Sequence, residues 1–398
     1  MTSGDEFLGS AGPHGVDVPW WSEVGPVVGW LEELLGVPVL VLRLLDVEGG
    51  SGGRDGHVTY HVEALERPAS GLLAQRHVHS RVLNGVEGLR STWARADGLR
   101  ELLDWAAGEL ASAGRPVSGP VEQRRTWNLA GLFRLPTARG PVWLKATPRF
   151  AADEATVITA FAEIDPGLVP TLLGVGERRV LMEHIPGEDC WEASPETVGA
   201  AVERFVGAQA VVASGGSGGF GDDVVAGVRD WRAPVLEAAV RDLLDGPLAG
   251  ELTEREVRGA RELAGRWELL SECGLPDTLV HGDFHPGNWR SDGGAPVVVD
   301  FADAHWGNPV LDGLRVQGFL PESGRAAAAR DWVEAWKSRV PGSDPARALD
   351  VAGPLAHLTY AVRYQEFLDG IEPSERVYHR GDPADEVRAA LRCAGTGG

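Results

Sequence analysis

The sequence predicts an α+β protein in which a small mixed appendage and a β-rich segment precede a mostly helical half. Three observations predict it. Residues 117–185 alternate short apolar runs with turn residues, in the order strand, strand, strand, helix, strand, strand. From Pro186-Gly187 onward the apolar residues recur at helical spacing over long stretches. A β-like passage at 279–309 interrupts those helices and concentrates His, Asp and Asn.

Taken in order, residues 20–36 carry apolar spacing for a short helix ending at Gly36. Two strands are expected next, VPVLVLRLL at 37–45 and HVTYHVEAL at 57–65, joined through EGGSGGRDG. Residues 1–75 therefore read as a small N-terminal α+β appendage and 76–95 as a linker. A helix over 97–114 places Leu99, Leu102, Leu103, Ala106 and Leu110 on one face. It opens the β-rich lobe, 96–185, with a further helix at 151–163. The helical lobe, 186–398, begins at a capping Ser194 with Pro195 at the first helical position. A loop at 214–223 follows, then helices near 228–244, 253–273, 325–338 and 346–369.

Composition narrows the function. With 58 acidic against 37 basic residues the formal charge is −21, a field that disfavours phosphate backbones and anionic membranes as partners. The most apolar stretch, Val37 to Leu45, is interrupted by Arg43 and is too short to span a bilayer. The first residues show no basic and apolar signal pattern, and Cys190, Cys273 and Cys393 have no metal or disulfide spacing, so a cytoplasmic protein with reduced thiols is expected. Lysine survives only as Lys145 and Lys337, which marks each for a task arginine cannot do.

The chemistry concentrates in LVHGDFHPGNWRSDGGAPVVVDFADAHWGNP. Asp283 and Asn288 share one short loop, a spacing that sets a base beside an oxygen donor for Mg²⁺. SDGG then turns the chain back, so that VVVD delivers Asp300 as a second hard oxygen donor. A strand–turn–strand carrying Asp, Asn and Asp is a phosphoryl-transfer signature.

On these motifs the chain resembles the aminoglycoside phosphotransferase and choline kinase-type family, over roughly 97–393. The resemblance implies a bilobal protein-kinase-like fold, a β-rich N-lobe with a mostly helical C-lobe, and leaves the N-terminal appendage unexplained. It implies Asp283 as catalytic base, Asn288 and Asp300 as Mg²⁺ ligands, His281 as a structural loop residue and Asp312 as a buried brace. Lys145, in PVWLKA, corresponds to the lysine that contacts nucleotide phosphates, with Glu154 rather than Glu163 as its ion-pair partner. RRVLMEHIPG resembles the hinge, where a purine meets backbone groups from Met182 to His184. Only Gly131 marks the phosphate-covering loop, whose N–H groups run from about Asn128 to Leu132. Asp303 is either a second metal-site carboxylate or a hydrogen-bonded loop residue, while His285 and His305 read as structural or substrate-lining.

The expected reaction moves the γ-phosphoryl of ATP or GTP to a hydroxyl of a small molecule, either an aminoglycoside-like cationic antibiotic or a metabolite alcohol. Glu366, Asp369 and Glu372 would favour the cation if they line the acceptor cleft, and they suit a solvated helix end equally well. A pseudokinase-type regulatory module is opposed by the presence of Lys145, Glu154, Asp283, Asn288 and Asp300. A protein kinase is opposed by the short passage from Asp300 to Asn308-Pro309, which has no room for an activation loop. Lys145→Ala should raise the nucleotide KM and lower kcat, and Lys145→Arg should rescue only part, because a planar fork does not occupy an ammonium's position. Steady-state kinetics of both variants test this, and full activity of Lys145→Arg would exclude the role.

Overall fold

The computed structural model describes residues 1–4, 6–74, 88–215 and 227–395. Residues 76–87 of the expected linker and 216–223 of the expected loop lie outside the described residues. The chain divides into two compact units, one of Met1–Phe150, Leu172–His184 and Phe367–Arg380, the other of Ala151–Thr171, Ile185–Glu366 and Gly381–Gly398. The α+β expectation holds. Strands dominate the first unit and helices the second.

Among the described residues, the first unit holds two sheets. A four-stranded sheet runs in the order Glu6–Phe7, Thr2–Ser3, His57–Ala64, Val39–Glu48. A five-stranded sheet runs Glu122–Trp127, Ala130–Leu135, Val142–Ala146, Arg179–Glu183, Leu172–Gly176, with every neighbouring pair antiparallel. Strand Val39–Glu48 shows no polar alternation at its start because both of its faces are covered. Val39 and Val41 pack with Val28, Leu31 and Leu35 of helix Gly25–Leu35. Leu40 and Leu42 instead join Leu99 and Leu102 of helix Ala96–Ser112 and Phe133, Leu135 and Leu144 of the larger sheet. Trp93, 2% exposed, lies in the same core.

Polar groups complete this weld. The buried Gln123 amide donates to Val41 O and accepts from Val41 N–H, each at 2.7 Å, acting as a ladder partner across the two sheets. Arg43 is 3% exposed and meets Glu372 at 2.9 Å, where Arg90 also binds at 3.1 Å. Glu375 accepts the Leu44 N–H at 3.0 Å, and Tyr378 packs edge-on against Trp21 and Trp127. Strand Val39–Glu48 thus has partners from chain segments more than 300 positions away in sequence.

In the second unit, Ser194 caps helix Pro195–Ala213 by accepting the Thr197 N–H. Helix Glu254–Ala264 opens on a capping box formed by Thr253 and Glu256. The single helix expected over 253–273 is two, Glu254–Ala264 and Trp267–Ser271, broken at Gly265-Arg266, where glycine weakens helix continuation. Helix Glu154–Ile164 belongs to this unit: Phe161 packs on Phe205 and Phe301, and Ala152 N–H bonds to Ala302 O. Helices Val310–Phe319, Glu322–Arg339, Pro345–Gly370 and Asp382–Cys393 follow in the chain. Among the described residues no helix is long and apolar enough to cross a membrane.

Burial pushes the Glu375 carboxyl up to about 8. Its folded pKa lies above the unfolded one, so its stabilising contribution is full at acid pH and is lost as pH rises toward that value. Glu375→Gln has no proton to lose and should remove this slope, which reaches about 1.4 kcal/mol per pH unit. Urea denaturation of both proteins between about pH 5 and 8 checks the prediction, and parallel stability curves would refute it.

Candidate active site

The site in the second unit is built on a hairpin. Trp289–Ser291 pairs antiparallel with Val297–Val298, Trp289 opposite Val298. Ser291 Oγ donates to Gly294 O and accepts the Gly293 N–H, and Gly293 has φ 106°. SDGG is therefore the turn that the sequence predicted. Continuing the register, Val299 N–H bonds to Asn288 O at 2.8 Å, so Asp300 leaves the hairpin one residue beyond Asn288's partner. Asp300 itself has φ 67°, a left-handed conformation that is uncommon outside glycine and that Asp tolerates better than most residues. The N–H that follows it, on Phe301, is held by Glu154 Oε1 at 2.9 Å.

The loop before the hairpin is fixed from beneath. Asp312, on helix Val310–Phe319, accepts the His281 and Gly282 N–H groups at 2.9 and 3.0 Å and the Gln209 amide at 2.8 Å. Gly282 has φ 84°, and a Cβ there would stand 2.4 Å from Asp303 O, so only glycine fits. His281 is fully buried; its Nδ1 accepts the Asp283 N–H at 3.1 Å, which leaves Nε2–H to donate to Val299 O at 3.0 Å. Burial lowers its pKa to about 4, so it stays neutral and ties loop to hairpin, in line with the structural role expected of it.

Asp283 is held at both oxygens. Arg315 Nε and Nη2 donate to Oδ1 at 2.7 and 2.6 Å. Asn288 Nδ2 donates to Oδ2 at 2.9 Å and to Asp283 O at 3.0 Å, and His285 Nε2 lies 3.3 Å from Oδ2. Burial pushes the carboxyl up, but the Arg315 charge and the contact with His285 outweigh it and hold Asp283 well below the usual carboxylate range. Because Asn288 spends its amide nitrogen on Asp283, its amide oxygen lies on the other side of the group, the donor a hard cation requires.

The remaining polar residues sort by environment. Asp303 is arginine-bound, accepting Arg363 Nε at 2.8 Å. Burial raises its carboxyl, yet Arg363 and Arg229 hold it below the usual range. His305 is 1% exposed on strand His305–Gly307, with its pKa lowered to about 3 by burial. His285 is stacked between Trp191 and Phe319, at ring separations of 5.1 and 4.1 Å.

The first unit carries the other predicted residues. Lys145, 7% exposed, lies in strand Val142–Ala146, opposite Leu132 on one side and Val180 on the other. Met182 lies opposite Trp143 on the neighbouring strand, and His184 Nδ1 accepts the Trp143 indole N–H at 3.1 Å. Asn128 is buried in the turn between Trp127 and Ala130 and donates to Glu375 O at 3.5 Å. Gly131 is required by packing, since a Cβ would lie 2.8 Å from the Trp93 ring. Lys145 and Met182 thus lie on paired strands of one unit with His184 just beyond the second, and Glu154, Asp283, Asn288 and Asp300 are connected within the other.

Sequence reasoning missed Arg315, Gln209 and Arg363. A signal existed for Arg315: it follows Asp312 by three positions on one helix, a spacing that aims both side chains at the same loop. Gln209 and Arg363 sit in ordinary helical surroundings in the sequence and carry no such mark.

No curated protein matches this chain. Among solved structures, a choline/ethanolamine kinase family protein from Mesorhizobium loti superposes with a TM-score of 0.52 at 18% identity, covering 74% of this chain and 96% of that one. An ethanolamine kinase from Plasmodium vivax superposes with a TM-score of 0.51 at 8% identity, covering 69% of this chain and 82% of that one. Both likenesses are of fold. The family model described as the phosphotransferase enzyme family matches residues 132–349, a span that contains the larger sheet from Leu132 onward, the Asp283 loop, the hairpin and Asp312. With more than half of its length matched in this way, the chain belongs to the phosphotransferase enzyme family.

Proposed function

We propose that this enzyme transfers the γ-phosphoryl group of ATP or GTP to a hydroxyl of a small molecule, with Asp283 receiving that hydroxyl. The observation that carries the reading is the bond from Asn288 Nδ2 to Asp283 Oδ2, which turns the asparagine oxygen away from the carboxylate at the head of the hairpin leading to Asp300. A carboxylate that remains ionised can accept a hydrogen bond from an incoming alcohol and orient its oxygen for in-line attack. Arg315 and Asn288 fix its rotamer, so orientation is set before the substrate arrives.

The donor set suits Mg²⁺, which takes a few protein oxygens and completes its shell with phosphate and water. Asn288 and Asp300 would hold it, and when bound it neutralises charge on the β- and γ-phosphates. Lys145 would contact the nucleotide phosphates, with Glu154 as its ion-pair partner. Backbone groups around Met182 and His184 would take the base. Residues 1–74 would serve as a built-in cap of the β-rich unit, because strand Val39–Glu48 shares its core.

Asp283→Asn keeps the size of the side chain and removes its charge. Turnover should fall by about 10²–10⁴-fold, roughly 3–5 kcal/mol of barrier, while nucleotide affinity changes far less. Nucleotide titration beside turnover measurement, with thermal melting as the folding control, tests the role. Turnover within about twofold of wild type, far short of that range, would remove Asp283 from the mechanism.

A further inference from the structure

The strongest specificity signal is the way arginines answer the carboxylates around Asp283. Arg315 gives Nε and Nη2 to Asp283 Oδ1 and is clamped between the rings of Phe319 and Tyr360, 4.5 and 4.9 Å from its guanidinium carbon. Its side chain is nevertheless 23% exposed, and Nη1 makes no hydrogen bond among the described residues. Guanidinium groups donate and never accept, so an outward Nη1 offers hydrogens to an oxygen and repels an ammonium. The next carboxylates repeat the pattern. Arg363 binds Asp303, and Glu366 accepts Arg363 Nη1 at 2.8 Å and Arg229 Nε at 3.2 Å. Glu366 and Glu372 are two of the carboxylates that would favour a cation in an acceptor cleft; Glu372 is itself taken by Arg43 and Arg90.

We propose that the acceptor is a non-cationic, oxygen-rich alcohol, a polyol or hydroxy acid, and that Arg315 Nη1 binds an oxygen next to its reacting hydroxyl. This rests on the placement of the acceptor hydroxyl at Asp283. The stacked, doubly bonded guanidinium is pre-organised, so an acceptor oxygen gains its hydrogen bond without ordering a flexible side chain. A cationic acceptor meets no unanswered carboxylate among Asp283, Asp303 and Glu366 and meets the guanidinium edge instead. Arg315 is then a specificity residue as well as the residue that positions Asp283.

The test uses the full-length enzyme with Mg²⁺ and a non-hydrolysable ATP analogue, and two probe sets, each sharing a polyol skeleton and containing an acid, a neutral alcohol and an amine. One is glucuronate, glucose and glucosamine; the other is glycerate, glycerol and 3-amino-1,2-propanediol. Direct binding is read by ligand-observed NMR up to about 10 mM, the weak end of specific affinity. In wild type the acid or neutral member of at least one set should bind about tenfold or more tighter than its amine, as expected for one charge-assisted hydrogen bond gained against one repulsion. Arg315→Gln should abolish that discrimination while the protein stays folded, an effect that loss of a merely structural contact would not produce. Asp283→Asn leaves Arg315 uncompensated and should sharpen the preference for the acids, whatever it does to turnover. Tighter binding of the amines, unchanged discrimination in Arg315→Gln, or no binding of any non-cationic probe would overturn the proposal. Failure of the Asp283 reading shows separately, as undiminished turnover in Asp283→Asn.

Discussion

Asp312 is 1% exposed, and its carboxylate accepts three hydrogen bonds, from the His281 and Gly282 N–H groups and the Gln209 amide. Burial pushes that carboxyl up to about 7 although all three donors favour its ionised form. The rest of the site hangs from this anchor. With two successive backbone N–H groups held, His281 Nδ1 meets the Asp283 N–H and its Nε2 reaches Val299 O across the hairpin. Asp283 then has one orientation in which Arg315, three positions beyond Asp312 on the same helix, can take Oδ1 while Asn288 takes Oδ2. Losing a buried acceptor would leave its donors unsatisfied, each at a cost of about 1–3 kcal/mol. The loop conformation is therefore strongly determined rather than marginal.

A second constraint organises the β-rich unit. Strand Val39–Glu48 is covered on both faces, so neither the helix Gly25–Leu35 nor the larger sheet can be removed without exposing apolar surface. Burying a charged residue in such a strand demands a partner, and Arg43 finds it in Glu372. The buried amide of Gln123 satisfies both backbone groups of Val41, which would otherwise be cut off from a ladder on that side. The family match begins at residue 132, yet the core that supports its first strand is completed by residues far upstream of it.

The overall charge of −21 and the local electrostatics of the site point in different directions. Asp283 is paired with Arg315, Asp303 with Arg363, and Glu366 with Arg363 and Arg229, so the acidic surplus of the chain is not expressed among these three carboxylates. Net charge acts over the whole surface, whereas recognition depends on which atoms lie within a few ångströms and are not screened.

By itself the sequence determined the order of strands and helices over residues 117–185 and the helix that follows Ser194, because apolar periodicity and helix caps are local properties. It also determined the hairpin joining Asn288 to Asp300, since SDGG is a turn whatever surrounds it, and the buried place of Asp312 followed from the family resemblance of the loop. Only the tertiary structure decided what Arg43 does, since it reads as an interruption of an apolar run until Glu372 arrives from the far end of the chain. The same holds for Gly131, which reads as a phosphate-loop glycine and is held to that identity by the Trp93 ring. Arg315 and Arg363 are two among many arginines in the sequence, and their pairing with Asp283 and Asp303 depends on how separate segments pack within one unit. Local chemistry is written in neighbouring residues, whereas charge compensation depends on contacts between residues 32 and 60 positions apart, which only folding brings together.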